Sequence, residues 1–409
     1  MDLTAKQVQI SDIGKVITGK TPSTKNPEYF GTKIPFLTPS DISESKHVHK
    51  TERSLSESGM KLLSNIILPP NSIAVSCIGS DMGKTVFIKE NMITNQQFNS
   101  IIPNSDIIDP EFLYYFFKSK RSFLRNLGAG GSAQPIVKKS LFEEITLLLF
   151  SLESQRQIGK ILSKLDTKIQ NLQNQNRILE QTAQAIFQSW FVDFDGVTEW
   201  DDSELGKIPK GWKPKKLGDF ISVEKGLSYK GKFLSTSGIP LVNLGNIEKN
   251  GGFIGGKIKH YTGEFKTKHV ISSGDIVIAN TDITQDRLVL GSPALIPPLD
   301  SKEIIFTHHI FAVRNNSGFR KYFLYYLLKT QNYHQHVTSY AMGTTVLAIP
   351  KEAVLDFQFG LPNDDLINKF DKISSDIHES LFQNNSAIHT LTKTRDTLLP
   401  KLMSGEIRV

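Results

Sequence analysis

The sequence predicts an α+β chain: two tandem copies of one mixed domain, each followed by a long helix, with the two helices packed as an antiparallel coiled coil about a pseudo-twofold axis. Three observations predict it. Segments of the first half recur about 211 residues on (323 − 112). Short apolar runs bounded by turns accompany aromatic helical segments in both halves. Each half ends in apolar residues spaced alternately four and three apart, the signature of a helix with a partner helix.

The repeat is clearest in Phe112-Leu113-Tyr114-Tyr115-Phe116-Phe117-Lys118, which matches Phe323-Leu324-Tyr325-Tyr326-Leu327-Leu328-Lys329. Ser72-Ile73-Ala74-Val75-Ser76 and Asp275-Ile276-Val277-Ile278-Ala279 both read as short buried strands, after the turns Pro69-Pro70-Asn71 and Ser272-Ser273-Gly274. Gly131-Ser132 matches Gly343-Thr344, and Phe142 and Val354 follow at like distances.

The first seam is Ile158, Leu162, Leu165, Ile169, Leu172, Leu179, Ala183, Ile186 and Trp190, with polar Asn176 in the vacant core slot. The second is Phe370, Ile377, Leu381, Ile388, Leu391, Leu398 and Leu402, with Ser374, Asn384 and Arg395 in polar slots. Roughly 40 residues at about 1.5 Å each make a helix of about 60 Å, too long for one domain face. The other copy is the obvious partner; the alternative is an amphipathic helix lying on its own domain. These signals divide the chain into a first domain (1–150), a spacer helix (151–194), a linker rich in glycine (195–212), a second domain (213–361) and a second spacer helix (362–409).

Composition bounds the function. At 409 residues the chain exceeds one ordinary core. With 39% hydrophobic and 22% charged residues, it has the profile of a soluble globular protein. A net charge of +7 permits a polyanionic partner. The single cysteine, Cys77, excludes an internal disulfide and a thiolate cluster, as expected of a reducing cytosol. No signal peptide is visible, and the longest apolar run, near Ile145 to Phe150, is far short of a membrane span. A cytoplasmic protein is expected.

Four stretches carry a resemblance to a known family. Gln184-Ala185-Ile186-Phe187-Gln188-Ser189-Trp190-Phe191-Val192-Asp193-Phe194-Asp195 resembles the central conserved region of type I restriction–modification specificity subunits. Ser203-Glu204-Leu205-Gly206-Lys207-Ile208-Pro209-Lys210-Gly211-Trp212 resembles the opening of their second target-recognition domain. The final residues Leu398 to Val409 resemble their usual C-terminus, and Thr18 to Ser23 with Ile34 to Ile42 the start of many of their first domains. The resemblance implies two mixed α/β target-recognition domains, each reading half of a split double-stranded DNA target. It implies that the paired helices set the spacing and hold modification (methyltransferase) subunits, expected to be two, and that restriction (motor-nuclease) subunits join for cleavage. It also implies a non-catalytic chain without cofactor or metal of its own. S-adenosylmethionine, ATP and magnesium are expected on the partner subunits. Phe187, Trp190, Phe191, Leu399 and Leu402 are the expected partner-binding residues. The alternative is a coiled-coil adaptor that binds protein only.

Two motifs mislead. Gly14 to Thr21 fits the phosphate-loop spacing G-x-x-x-x-G-K-T, but no apolar strand leads in, the loop is β-branched, and Pro22 follows at once. Asn26-Pro27-Glu28-Tyr29 lacks the second proline of an amino-methyltransferase motif. The pairs His47/His49, His308/His309 and His334/His336 lack further ligands at metal spacing, so surface or nucleic-acid contact is expected of them.

Phosphate contacts position a protein and base-edge contacts specify sequence. Expected phosphate contacts are Lys20, Lys25, Lys84, Lys138 and Lys139, then Lys230, Lys232, Lys257, Lys259 and Arg287. Expected base readers are Thr24, Ser80, Asp81, Gln96 and Gln97, then Asn280, Thr281, Asp282, Gln285, Arg287 and His309, because forked or planar polar groups suit base edges.

Overall fold

The computed structural model describes all residues except 1–5, 44, 49, 129–134, 285, 300 and 316. The chain divides into two compact units: Met1–Asn174 with Ser386–Val409, and Gln175–Asn385.

The first unit is built on a four-stranded antiparallel sheet, in the order Gly14–Thr18, Phe98–Pro103, Ile73–Ser76, Thr85–Phe87. Every residue of Ile73–Ser76 is buried, which accounts for its unbroken apolar run. Beside this sheet lies a three-stranded one in which Phe30–Leu37 pairs antiparallel with Arg53–Leu55 and parallel with Ile93–Thr94. The aromatic helix Pro110–Ser119, capped by Asp109 onto the Phe112 amide at 3.0 Å, buries six consecutive residues from Phe112 to Phe117.

The second unit repeats this order. Its four-stranded sheet runs Ile221–Lys225, Ile310–Asn315, Ile276–Ala279, Pro293–Leu295, again antiparallel throughout. Its other sheet has five strands and again holds one parallel pairing, with Leu241 beside Ile305. The aromatic helix is Lys321–Leu327. In the first unit a two-stranded pairing of Lys6–Gln9 with Thr146–Leu149 closes the domain, and in the second Lys213–Lys216 with Gln358–Leu361 does so.

Both spacer helices form, as Leu152–Phe191 and Asp364–Ser404. Each contributes to both units. In the first unit Ile158 and Leu162 share the main core with Leu399, Leu402 and Met403. In the second, Ala183, Phe187 and Phe191 share it with Ile367 and Phe370. Within each unit the two helix segments therefore run antiparallel, and each also packs on the globular part. Both of the packings open at the sequence level are realised, because each helix has more than one apolar face.

This corrects the partner-binding expectation. Phe187 (0% exposed), Phe191 (8%), Leu399 (6%) and Leu402 (2%) are sealed in this chain's own cores and present no surface to another subunit. Trp190 is partly buried against Phe191 and Phe370. The stretch 195–212, expected as a linker, carries a hairpin of Trp200–Ser203 with Gly206–Pro209. Aromatic packing holds it: Phe194, at φ 57, meets the rings of Trp200 and Trp212 at 5.6 and 5.5 Å.

Candidate nucleic-acid interface

In each unit the sheet's strand ends carry three loops, and backbone hydrogen bonds stitch them together. In the first unit Gly19 N donates to Phe98 O and Lys20 N to Thr94 O, at 3.1 and 3.0 Å. Cys77 N donates to Gln97 O at 2.7 Å, and Val137 N to Cys77 O at 2.9 Å. The second unit repeats the set: Gly226 N to Ile310 O, Leu227 N to Phe306 O, Asn280 N to His309 O and Ile349 N to Asn280 O, at 3.3, 2.8, 3.0 and 3.0 Å. Glycine is required at the crossing. A Cβ on Gly19 would stand 2.0 Å from Asn95 O, and one on Gly226 2.3 Å from Thr307 O.

Gln96 and Gln97 stand where His308 and His309 stand, and Cys77 stands where Asn280 does. The loop from Cys77 ends where Gly83 N meets Ser76 O at 2.7 Å; that from Asn280 ends where Gly291 N meets Ala279 O at 2.8 Å. The second loop is thus five residues longer (291 − 280 against 83 − 77).

The expected site residues fall into three groups. Lys20, Thr24, Lys25, Ser80, Gln96, Lys138 and Lys139 are exposed in the first unit, as are Lys230, Lys232, Lys259 and Arg287 in the second. Of these, Lys20, Ser80, Gln96, Lys138, Lys230 and Arg287 sit on or beside the stitched loops. Thr24 lines a hollow of about 440 Å³ with Phe30, Glu52 and Arg53. The Lys259 ammonium lies 5.9 Å over the Tyr229 ring, which neighbours His308. Lys139 is paired with Glu143 at 3.6 Å.

A second group is present but already engaged. Lys84 is bound to Asp81 at 2.9 Å and to Ile42 O at 3.4 Å. Gln97 Oε1 accepts from Asn95 at 2.9 Å. His309 Nδ1 pairs with Thr281 Oγ1 at 3.0 Å, and burial, then His308 and Lys225, hold its pKa below the ordinary histidine value.

A third group is corrected. Asn280, Thr281 and Asp282 are 2%, 8% and 1% exposed and read nothing outside the chain. Asn280 Nδ2 donates to His308 O at 3.0 Å. The Asp282 carboxylate accepts from Thr284 N and Oγ1, both at 2.7 Å, and from Val289 N at 3.1 Å. These residues brace the loop rather than speak for it, since a buried polar group must spend its hydrogen bonds at home. Gln285 and the side chain of Lys257 lie outside the described residues.

Sequence reasoning missed the apolar residues that this bracing presents: Ile283, Met342 and Val346 are 70%, 64% and 42% exposed. Polarity was the search criterion, so an exposed isoleucine gave no signal. The phosphate-loop reading finds no support, because Gly14–Thr18 is a strand whose residues pair with Asn99 to Pro103. Among the described residues no three His, Cys, Asp or Glu side chains are grouped to hold a metal ion. Nor is any helix among them long and apolar enough to cross a membrane.

On the first long helix Arg156, Lys160, Lys164 and Lys168 recur every four residues, all exposed and, among the described residues, in no ion pair. They line a groove of about 390 Å³ with Asp109 and Glu111. Of the two carboxylates there, Glu111 is bound to Lys46 and Asp109 caps the Phe112 amide.

Residues 3–181 match the model of the type I restriction modification DNA specificity domain. The type I restriction enzyme MjaIX specificity subunit of Methanocaldococcus jannaschii is 31% identical over 421 residues, covering 98% of this chain and 93% of that subunit. The MjaVIII specificity subunit of the same organism is 26% identical over 417 residues, covering 98% and 92%. The crystal structure of the type I restriction–modification S subunit from M. genitalium shares the fold, with a TM-score of 0.59 at 17% identity over 98% of this chain and 97% of that one. With one like platform in each of its two units and a full-length relative above 30% identity, the chain belongs to the family of type I restriction enzyme specificity subunits.

Proposed function

We propose that each unit of this non-catalytic chain reads one half of a bipartite double-stranded DNA target, and that the paired helices set the spacing between halves. One observation carries the reading. The same backbone platform is built twice, while the side chains it presents differ: Gln96 and Gln97 against His308 and His309, and loops of unequal length. A fixed frame with variable tips is what two readers of different sequences need.

The partner surface is the exposed face of the first long helix within the first unit, with the stripe Arg156, Lys160, Lys164 and Lys168 as its anchors. Two modification subunits dock there, restriction subunits join them, and S-adenosylmethionine, ATP and magnesium are held by those partners. The complex works in the cytoplasm.

The test is to sequence methylated positions in DNA from cells carrying this chain with its partners. A split motif with a fixed gap is expected. Exchanging Thr281–Leu290 for another loop should change one half of the motif only. A contiguous motif, or changes in both halves, would overturn the assignment.

A further inference from the structure

The loop brace described above has an apolar product. Thr281–Asp282 and Leu347–Ala348 form a two-stranded ribbon, and Met342 closes on it through reciprocal backbone hydrogen bonds with Ala348 at 3.0 and 2.8 Å. Ile283 and Val346 extend the ribbon past the Asp282–Leu347 pair, and Met342 flanks it at Ala348; all three are exposed. Lone exposed apolar residues are ordinary; three on one ribbon, beside the reading loops, are not.

The backbone that presents them is fixed. Ile283 follows Asp282, whose buried carboxylate ties down Thr284 and Val289. Across the ribbon Ile349 N is held by Asn280 O. The loop's far end is held too: the Arg287 guanidinium donates to Thr338 O at 3.4 Å, and His334 Nε2 donates to Arg287 O at 3.0 Å. The tip is an apolar edge with a cation on its flank.

We infer that this ribbon enters the major groove and that Ile283, with Met342 and Val346, reads thymine by packing on its C5 methyl. A two-stranded ribbon fits a major groove about 12 Å wide, and the methyl is the apolar group a base pair displays there. Arg287 on the flank suits a phosphate-lined groove better than an apolar protein face. The first unit's loop is five residues shorter, and its one large apolar residue past Ile78, Met82, is 1% exposed. The inference rests on the platform being the DNA interface, and the experiment separates the two.

The full chain, assembled with its modification partners, is titrated with duplexes carrying the mapped target, in which each thymine is replaced in turn by uracil. At least one replacement in the second unit's half-site should weaken binding about four-fold, the worth of one buried methyl. Ile283→Ala should weaken binding to the intact duplex by a similar factor and abolish the sensitivity to that uracil. Its response to uracil in the other half-site should stay as in the wild type. At 70% exposure Ile283 is not needed for folding, and Met342→Ala and Val346→Ala serve as parallel variants. Specific binding with no methyl effect, a half-site without thymine on either strand, or a methyl effect that survives all three variants would overturn the inference. So would Ile283→Ala releasing the partner subunits without changing discrimination, which would make the tip a protein-docking edge. Absence of any site-specific binding would instead overturn the DNA reading of the platform.

Discussion

The Arg395 guanidinium donates to the Asp166 carboxylate at 2.7 Å, joining the two long helices inside the first unit, and both side chains are largely buried, at 15% and 13% exposure. Tyr115 Oη donates to the same carboxylate at 2.8 Å and Lys118 Nζ at 3.2 Å. Burial alone would raise the Asp166 pKa. Lys118, then the hydrogen bonds from Arg395 and Tyr115, outweigh burial and hold it below the ordinary carboxylate value. Breaking a buried pair costs about 3–5 kcal/mol when one charge is left alone. Arg395→Ala leaves Lys118 and Tyr115 in place, so about 2 kcal/mol is expected; Asp166→Ala strands all three donors and should cost more. Denaturant titration checks the order, and equal or inverted costs would refute the shared-hub account.

The same hub sets an acid limb. A carboxylate with a depressed folded pKa contributes stability that is present above its unfolded value of about 3.9 and is lost as pH falls through the folded value. Asp166→Asn should therefore be less stable than wild type at neutral pH, with the difference shrinking as pH falls below about 4. A constant difference across that range would show that the charge is not the cause.

His378 occupies the matching place in the second unit, 3.1 Å from Tyr326 Oη and stacked on Tyr322 at 4.7 Å. Burial, then the nearby Lys329 and Lys321, push its pKa down to about 3. The unfolded chain binds this proton near pH 6.5 and the folded chain does not. Stability thus falls as pH drops from about 6.5 toward 3, by up to about 1.4 kcal/mol per pH unit. His378→Gln should flatten that slope in the pH dependence of the melting temperature. An unchanged slope would mean that another group titrates.

Much of this frame was legible in the sequence. Ile158, Leu162 and Phe370 sit in heptad positions and are buried, because helical spacing alone decides which face they share. Their neighbours Phe187 and Phe191 were misassigned to partners, since an apolar residue beside a seam looks the same whether it meets its own domain or another chain. Asn280 to Asp282, expected as base readers, are buried instead. Polarity announces that a side chain needs hydrogen bonds, not whether its own backbone supplies them. The platform itself was hidden because backbone bonds build it. Its matched glycines are 207 apart (226 − 19) while Gln97 and His309 are 212 apart (309 − 97), so no single shift aligns both.

Arg287 remains the best test of half-site reading. It is exposed, its φ is 58, and its guanidinium already reaches Thr338 O. Arg287 itself carries the backbone strain of a positive φ, on the order of 1 kcal/mol, which alanine keeps and glycine relieves. Arg287→Ala thus removes the guanidinium alone, and Arg287→Gly also relieves the strain. If the guanidinium reads a base, both variants should lose discrimination at the second unit's half-site, by roughly 1–3 kcal/mol, and leave the other half-site unchanged. If it only meets a phosphate, affinity for all duplexes should fall alike and the salt dependence should flatten by about one charge. If Arg287→Ala keeps discrimination and Arg287→Gly loses it, the loop's shape matters rather than the charge. Competition binding against single-base variants of each half-site, at two salt concentrations, separates the three.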